Sequence, residues 1–542
     1  MLFHPTFIMI FFIAILLVIN KHSKLFKFVS LVGPVVSSIF LILGQGEYSY
    51  ELYNLKLIWE FDDFSKLIGI AFLLVLLTSN SYALGQKKYS ELIIGFAYGA
   101  SIFISFLAKD FISMFVGLEL MMIMSSMLIF AGGSPKSSIK YFLTHLVSSN
   151  MIFIGIAHIM SKGNSSEIIL VTNLIGNPEY SNIILYIMFV GMIINIAAFP
   201  FSGWMVNYYK GASASGSLYL INFTTKLSII LLIKVFAGFE LLKYIGLMMI
   251  IYAGFKAMFE DNIFALLCYL SIISGGIMVL GIASGDKSAL LAMSCYLFIH
   301  IIYKSLLSIA SATLRDAANI TLCSELGNIK NKILLIAIVT GVALMINIPF
   351  SLSFYSKLEI SHLFSGSFFY IVILLSGIVT TVSLPWKECL KQPKIIRLEL
   401  DFYNKLSIVL MSFVAFIIGF AGFLMPISPL FGSHEVNYYI YEILKQLGIF
   451  SIAAIIILNV DIKRKAGKAL NILEEIGSGF AQCYKYWKNY DGQKLGKEKW
   501  HLGILERQML KKISIFHNQS TAIFVAFSLL IIMLATLLIS LY

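Results

Sequence analysis

Charged side chains in the middle of apolar runs are the residues of this sequence best suited to chemistry. Glu119 lies within FVGLELMMIMSSMLIF, and Lys226 lies within GSLYLINFTTKLSIILLIKVF. His300 and Lys304 lie four residues apart in CYLFIHIIYKSLLSIA, and Lys357 follows NIPFSLSFYS. A charge at bilayer depth costs at least a few kcal/mol, so it is usually retained for pairing or transport. Titratable groups at similar depth, with Tyr, Ser and Thr hydroxyls between them, are what a proton relay requires.

Each of these residues also has a structural interpretation. A single intramembrane Glu or Lys can be one half of a structural ion pair, or a residue near a span end whose side chain reaches the interface. A single buried histidine is more often a core residue with satisfied hydrogen bonds. The relay hypothesis therefore depends on the five residues as a set.

The composition indicates which kind of protein must position them. Of the 542 residues, 59% are apolar and 13% are charged, and the mean hydropathy is +0.89. Soluble domains carry about 25% charged residues, so a soluble enzyme, a disordered protein and a fibrous protein are excluded. At about 20 apolar residues per spanning helix, the apolar runs predict an all-α polytopic membrane protein of about 16 transmembrane helices.

Two stretches break the apolar periodicity and predict interrupted helices. One is FPFSGWMVNYYKGASASGS around Pro200, which precedes the span containing Lys226. The other is NIPFSLSFYSK around Pro349, which ends at Lys357 and lies in a run too long for one simple span, 332–364. Broken helices in corresponding halves are typical of inverted repeats with ion sites at the bilayer midplane.

The predicted organisation has six parts. They are N-terminal spans (1–110), a first half-channel repeat (111–240), a second half-channel repeat (241–385), C-terminal spans (386–460), a cytoplasmic amphipathic segment (461–520) and a final span (521–542). Most of the 40 basic residues fall on the side reached after the first span, which predicts that this side is cytoplasmic and that both termini lie outside. The amphipathic segment can alternatively be a basic loop attracted to anionic lipid. The net charge of +12 then requires no nucleic-acid partner.

The sequence contains no motif that would bind a redox cofactor or a metal. It contains neither G-x-G-x-x-G nor G-x-x-x-x-G-K-[ST], and its five cysteines form no C-x-x-C pair. His145 and His158 lie in one span, but no second span carries the matching pair that a di-haem bundle needs. We expect no cofactor and no metal in this chain.

Several of these motifs resemble the sequence motifs of one protein family, and they occur in the same order along the chain. FVGLELMMIMSSMLI resembles its F-x-x-W-E-L-M segment, and KYFL at Lys140–Leu143 matches its K-Y-F-L. The stretch from Pro200 follows its P-F-H-x-W-L-P-x-A-H-x-x-A-P-x-x-V-S-A pattern, with Lys226 on the lysine beyond it. HIIYKSLL resembles H-x-x-F-K-A-L-L, and NIPFSLSFYSK resembles G-x-P-P-x-x-G-F-x-x-K. From about Trp59 to Leu384, the chain resembles the antiporter-like family of respiratory complex I, membrane-bound hydrogenases and multi-subunit cation/proton antiporters.

The resemblance implies a function and roles for the five residues. Proton uptake from the cytoplasm would use a Glu119–Lys226 pair, lateral transfer would run to His300 and Lys304, and exit would pass through Lys357. The expected protein is a proton-translocating subunit of an NADH-quinone oxidoreductase-like complex in a bacterial or mitochondrial inner membrane. It would have no redox site of its own, which leaves its standing as an enzyme open. Its partners would be other membrane subunits, lipid, and protons or Na⁺.

Departures from the family pattern leave alternatives open. Ser202 and Tyr209 replace the two histidines of the P-F-H stretch, and Phe264 stands where many members have a relay lysine. The connection between Lys226 and Lys304 is therefore open. The alternatives are a component of a multi-subunit Na⁺/H⁺ antiporter without a redox role, and a structural paralogue that no longer pumps.

Overall fold

The first of two compact units contains all the residues that the structure describes. The computed structural model describes residues 4–52, 55–163, 166–391, 395–396, 398–421 and 436–460, and residues 462, 464, 465 and 467. The first unit is Met1–Asn471, and the second, Ile472–Tyr542, lies outside the described residues. The predicted final span and nearly all of the predicted amphipathic segment therefore lie outside them too.

Helices dominate the described chain. The first nine are α1 Pro5–Val18, α2 Lys24–Leu43, α3 Asp63–Gly85, α4 Tyr89–Leu107, α5 Phe111–Ala131, α6 Pro135–Gly163, α7 Asn182–Asn195, α8 Gly203–Tyr209 and α9 Ala214–Phe236. They are followed by α10 Leu241–Phe259, α11 Ile263–Ser284, α12 Lys287–Ala318, α13 Lys332–Met345, α14 Leu352–His362, α15 Phe368–Val382, α16 Trp386–Lys391, α17 Phe402–Phe420 and α18 Val436–Asn459. Strands β1 Gly46–Leu52 and β2 Leu55–Phe61 form a hairpin, and β3 Asn328–Ile329 pairs in parallel with β4 Ile395–Ile396.

The helices confirm the predicted class. In the described part of the chain, twelve are long and apolar enough to cross a membrane, and α1, α7 and α13 are shorter apolar helices. The protein is therefore an all-α polytopic membrane protein. The count of 16 stays a prediction, because its last member falls in 521–542. The long run 332–364 divides into α13 and α14, as its length predicted.

Polar N-caps determine where many of the spans begin. A short side chain at this position accepts a hydrogen bond from a backbone N–H that the helix itself leaves unpaired. Eight helices are capped in this way: α2 by Ser23, α3 by Asp62, α5 by Asp110, α9 by Ser213, α11 by Asn262, α13 by Asn331, α14 by Ser351 and α17 by Asp401. These residues lie at the edges of the apolar runs, where the observed helices begin.

The helices α4–α9 and α10–α15 follow a similar order of long and short helices, while the predicted division into repeats at 111–240 and 241–385 stays a prediction. Helices α4 and α10 each have 19 residues, and α7 and α13 each have 14. Two residues after α7 and α13 the backbone turns left-handed, at Ala197 (φ 57°) and Asn347 (φ 59°). A non-glycine residue adopts this conformation at a cost of about 1–2 kcal/mol, and a short helix follows each break. Each of these two series of helices crosses five times when its interrupted helix counts once, so the second series is inverted relative to the first.

The connections between helices gather on two opposite sides. The side with the β1–β2 hairpin, which we call the hairpin side, also has the connections after α4, α6, α9 and α11. There Lys109 N–H donates to the Ile58 carbonyl at 2.8 Å, and Gly238 N–H donates to the Ile282 carbonyl at 2.9 Å. Consecutive connections alternate between the two sides, as expected if each helix crosses once.

The opposite side, which we call the Arg464 side, has the connections after α10, α12 and α15 and the residues after α18. Arg464 donates to the carbonyls of Glu260 at 3.1 Å and Ser383 at 2.9 Å. On the same side, Cys323 N–H donates to the Asp261 carbonyl at 2.6 Å. Three connections far apart in sequence are thus held together where the chain leaves α18.

The β1–β2 hairpin is an element that the hydropathy pattern did not predict. Its strands pair Tyr48 with Trp59, and Asp110 fastens it to the start of α5. One carboxylate oxygen of Asp110 accepts from Ile58 N–H at 2.7 Å, and the other accepts from Ser113 N–H at 2.7 Å. Burial raises the pKa of Asp110 above its ordinary value, although these backbone bonds favour its charged form.

Candidate ion-translocation site

Three of the predicted site residues lie on two helices that are largely buried in the described part of the chain. Lys226 is on α9, and His300 and Lys304 are on α12, which packs against both α9 and α11. About nine tenths of the spanning part of α9 and of α11 is buried (89% for each). Lys226 and Lys304 are 1% and 0% exposed. These lysines therefore cannot be lipid-facing residues that reach the headgroups.

Lys226 is held by neutral oxygen atoms. Its Nζ donates to the Ile221 carbonyl at 2.7 Å, to Thr225 Oγ1 at 3.2 Å and to Ser271 Oγ at 3.2 Å. Two of these acceptors come from α9 itself, and Ser271 comes from α11. A lysine with neutral neighbours can lose its proton without leaving a carboxylate unpaired.

Ser271 connects the two helices that carry the lysines. Its Oγ lies 3.5 Å from His300 Nε2, at the outer limit of a hydrogen bond, as well as 3.2 Å from Lys226 Nζ. One turn beyond His300, Lys304 Nζ donates to the Leu267 carbonyl of α11. Lys226, Ser271 and His300 are therefore connected, Lys304 lies one turn further along α12, and we call these four residues the central cluster.

Ser271, rather than Phe264, is the residue of α11 that contacts both Lys226 and His300. Phe264 is the second residue of that helix and is only partly buried, whereas Ser271 lies about two turns further on. Ser274 lies three residues later on the same face, with its Oγ 3.3 Å from Tyr303 OH. Two serines three residues apart in a helix that is otherwise mostly apolar indicate its polar face. A search limited to charged residues misses this signal.

Glu119 lies in a different group from Lys226. It is on α5, is 7% exposed, and is next to Ser149 of α6. Its Oε1 has no hydrogen-bond partner within the described ranges. The sequence predicts a Glu119–Lys226 pair, but neither residue is among the contacts of the other in this part of the chain.

Aromatic and hydroxyl side chains occupy the space between Glu119's neighbours and Lys226. On α6, His145 Nδ1 lies 2.8 Å from Asn195 Oδ1, and the Tyr141 ring centroid is 4.3 Å from that of His145. Tyr141 OH is 3.4 Å from Thr224 Oγ1, two residues before Lys226 on α9. These side chains connect α6 with α9 through Tyr141 and Thr224.

Lys357 lies in the second interrupted helix pair. It is on α14, and its Nζ donates to Ser376 Oγ of α15 at 3.2 Å. It also lines a cavity of about 30 Å³ together with Asn347, Glu442 and Gln446. The two residues of α18, Glu442 and Gln446, are not among the sequence-predicted site residues.

The five predicted residues thus fall into three groups. Glu119 lies with α6, the residues Lys226, His300 and Lys304 lie in the central cluster, and Lys357 lies beside α15 and α18. Helix α12 packs directly against α14. Among the described residues, however, the hydrogen bonds of Lys304 and of Lys357 do not join these two groups.

Comparisons with known proteins agree with this architecture. Over 304 residues, 52% of this chain, the sequence is 23% identical to NADH-quinone oxidoreductase subunit N 2 of Rhizobium meliloti (strain 1021), and it spans 63% of that subunit's length. The fold resembles a chain of respiratory complex I from Thermus thermophilus with bound aureothin, with a TM-score of 0.63 and 17% identity over 78% of this chain and 97% of that one. It also resembles a chain of the Mrp complex from Dietzia sp. DQ12-45-1b, with a TM-score of 0.64 and 16% identity over 81% and 95% of the two chains.

The family match extends from α5 to α15. Residues 108–383 match the family described as NADH:quinone oxidoreductase/Mrp antiporter, transmembrane. The matched range includes Glu119, Lys226, His300, Lys304 and Lys357 and covers more than half of the chain. The protein therefore belongs to the NADH:quinone oxidoreductase/Mrp antiporter transmembrane family.

Proposed function

We propose that this chain moves protons across a membrane as one subunit of a larger NADH-quinone oxidoreductase-like complex. The observation that supports this most strongly is the central cluster, in which Ser271 connects Lys226 to His300, one turn before Lys304, among buried helices. The sequence likeness to NADH-quinone oxidoreductase subunit N supports the choice of complex. Electrons would be handled by other subunits, and this chain would contribute the proton path.

The central cluster would transfer protons by alternating the charges of its two lysines. Like charges repel more strongly in a low-dielectric interior than in water, so a proton arriving at Lys226 favours release from Lys304. Ser271 and His300 would carry the proton between them, since a hydroxyl and an imidazole can each accept and donate. Glu119 would supply protons through the α6 side chains, and Lys357 would receive them.

We assign the Arg464 side to the cytoplasm and both termini to the outside of an inner membrane. The loop assignment made from the sequence predicts most of the 40 basic residues on this side, and cytoplasmic loops carry the excess of Lys and Arg. Other membrane subunits of the complex would be the protein partners. Protons would then enter from the Arg464 side and leave from the hairpin side.

The test compares two lysine variants in the intact complex. Inverted membrane vesicles carrying Lys226→Met or Lys243→Met would be energised with NADH, and acidification would be followed by quenching of a pH-sensitive dye. Lys243 forms a surface pair with Glu240 at 3.4 Å, so its variant controls for loss of a lysine. We expect proton flux to fall below about a tenth with Lys226→Met and to stay unchanged with Lys243→Met.

Two outcomes would contradict this proposal. Wild-type vesicles that acidify only when a sodium gradient is imposed, and not with NADH, would identify an antiporter subunit. Proton flux that is the same with and without Lys226 would identify a structural subunit that no longer pumps. Assembly of each variant would be checked on native gels, so that a lost complex is not mistaken for lost transport.

A further inference from the structure

Helix α18 brings buried polar side chains to the second repeat. Only 17% of its spanning part is buried, yet Glu442 is 3% exposed and Gln446 is 9% exposed. These two residues lie four apart, on the face of α18 that meets α14 and α15. A helix that otherwise exposes its surface thus turns its polar residues inward, towards Lys357.

Glu442 belongs to a set of titratable groups from three helices. Lys445 Nζ lies 2.5 Å from Glu442 Oε1 and donates to Tyr370 OH of α15 at 2.6 Å. His362 Nε2, at the end of α14, lies 3.8 Å from Glu442 Oε1. The ammonium of Lys445 stabilises the Glu442 carboxylate, so Glu442 is suited to releasing a proton that it receives.

Lys357 and two members of this set, Glu442 and Lys445, line the same cavity, whose wall is partly apolar. The cavity measures about 30 Å³ and is lined in part by Asn347, Lys357, Ser361, Glu442 and Gln446. A water molecule needs roughly 10–15 Å³ of such space and two or more polar partners, so the cavity can hold about two. Asn347 is 4% exposed, and its Oδ1 has no hydrogen-bond partner in the described part of the chain. A water in the cavity would supply one.

We propose that water in this cavity joins Lys357 to Glu442, and that Glu442 is the last proton-carrying group before the hairpin side. Helix α18 begins on the hairpin side, and Glu442 lies six residues after Val436, about 9 Å along the helix axis. The exit path therefore includes a helix beyond the two repeats. This inference rests on the proposed proton transport and adds a residue to it.

The test uses Glu442→Gln, which keeps the shape of the side chain and removes its proton-carrying carboxylate. The matched control is Glu240→Gln, an exposed glutamate of the hairpin side. In NADH-energised inverted vesicles, we expect Glu442→Gln to lower proton flux about tenfold or more and Glu240→Gln to leave it unchanged. Glu442→Gln with normal flux would overturn the inference, whereas loss of flux with Lys226→Met in the same vesicles would leave the proposed function standing.

A double variant separates proton transfer from a structural ion pair. Removing one partner of a buried pair leaves an uncompensated charge, but replacing both can restore stability. If Glu442 and Lys445 only stabilise the fold, Glu442→Gln with Lys445→Met would recover wild-type flux, which would overturn the inference. We expect the double variant to stay impaired.

A density map of the wild-type complex gives a readout that does not depend on variants. Cryo-electron microscopy at a resolution that reveals ordered water should find water between Lys357 Nζ and the Glu442 carboxylate. A dry cavity in that map would overturn the inference even if the variants fail to assemble.

Discussion

Replacing Ser271 by alanine is the sharpest perturbation of the proposed path. The change removes one hydroxyl that lies 3.2 Å from Lys226 Nζ and 3.5 Å from His300 Nε2. It leaves every titratable group in place. If the hydroxyl carries protons between α9 and α12, the two halves of the central cluster become disconnected.

The size of the effect follows from the lost hydrogen bonds. A hydrogen bond to a charged group contributes about 1.5–3 kcal/mol, and each 1.36 kcal/mol changes a rate about tenfold. If this interaction is made during proton transfer, Ser271→Ala should slow proton flux roughly 10- to 150-fold. Ser271→Thr retains the hydroxyl and should restore most of the flux.

The assay is NADH-driven proton uptake by inverted vesicles, normalised to the amount of assembled complex. Ser228→Ala is the matched control, because Ser228 is also buried on α9 and, among the described residues, bonds only to the Thr224 carbonyl, at 2.8 Å. Its flux should equal that of wild type. Flux within about twofold of wild type for Ser271→Ala would refute the reasoning, because protons would then pass between Lys226 and His300 without this hydroxyl.

Three further changes test other parts of the structure. Asp110→Asn should lower the free energy of unfolding by about 1–3 kcal/mol, because an amide has only one acceptor oxygen for the N–H groups of Ile58 and Ser113. Thermal unfolding of the purified complex measures this loss, and an unchanged midpoint would contradict the prediction. Glu119→Gln should reduce proton flux about tenfold without loss of assembly on native gels, and full flux would remove Glu119 from the path. Arg464→Lys should speed tryptic cleavage just after α18, because an ammonium cannot make the several hydrogen bonds of the planar guanidinium group. An unchanged cleavage rate would show that the Arg464 hydrogen bonds do not hold the chain after α18 in place.

The membrane fold could be predicted from the sequence because it depends on long apolar runs and their interruptions. The breaks around Pro200 and Pro349 mark the ends of α7 and α13, where Ala197 and Asn347 adopt the left-handed conformation. Hydropathy does not register the β1–β2 hairpin, since it lies between two spans and consists of short alternating strands. Its attachment through Asp110 is a tertiary contact that a local pattern cannot reveal.

Only the charged residues of the candidate site could be predicted from the sequence. Lys226, His300 and Lys304 can be identified because charge is rare in apolar helices, and the structure brings them together. Ser271 carries no charge, and its role depends on how α11 faces α9 and α12. The predicted Glu119–Lys226 pair follows from the family resemblance, whereas in the structure Glu119 faces α6 instead.

Proton flux through a complex with Lys304→Met is the most direct measurement of the central claim, that protons cross the membrane through buried lysines. Lys304 is fully buried, and its Nζ contacts only a backbone carbonyl in the described part of the chain, so this variant leaves no acidic partner unpaired. With Lys243→Met as the reference, we predict that flux falls below about a tenth while the complex remains assembled. Flux equal to that of the reference would contradict the account.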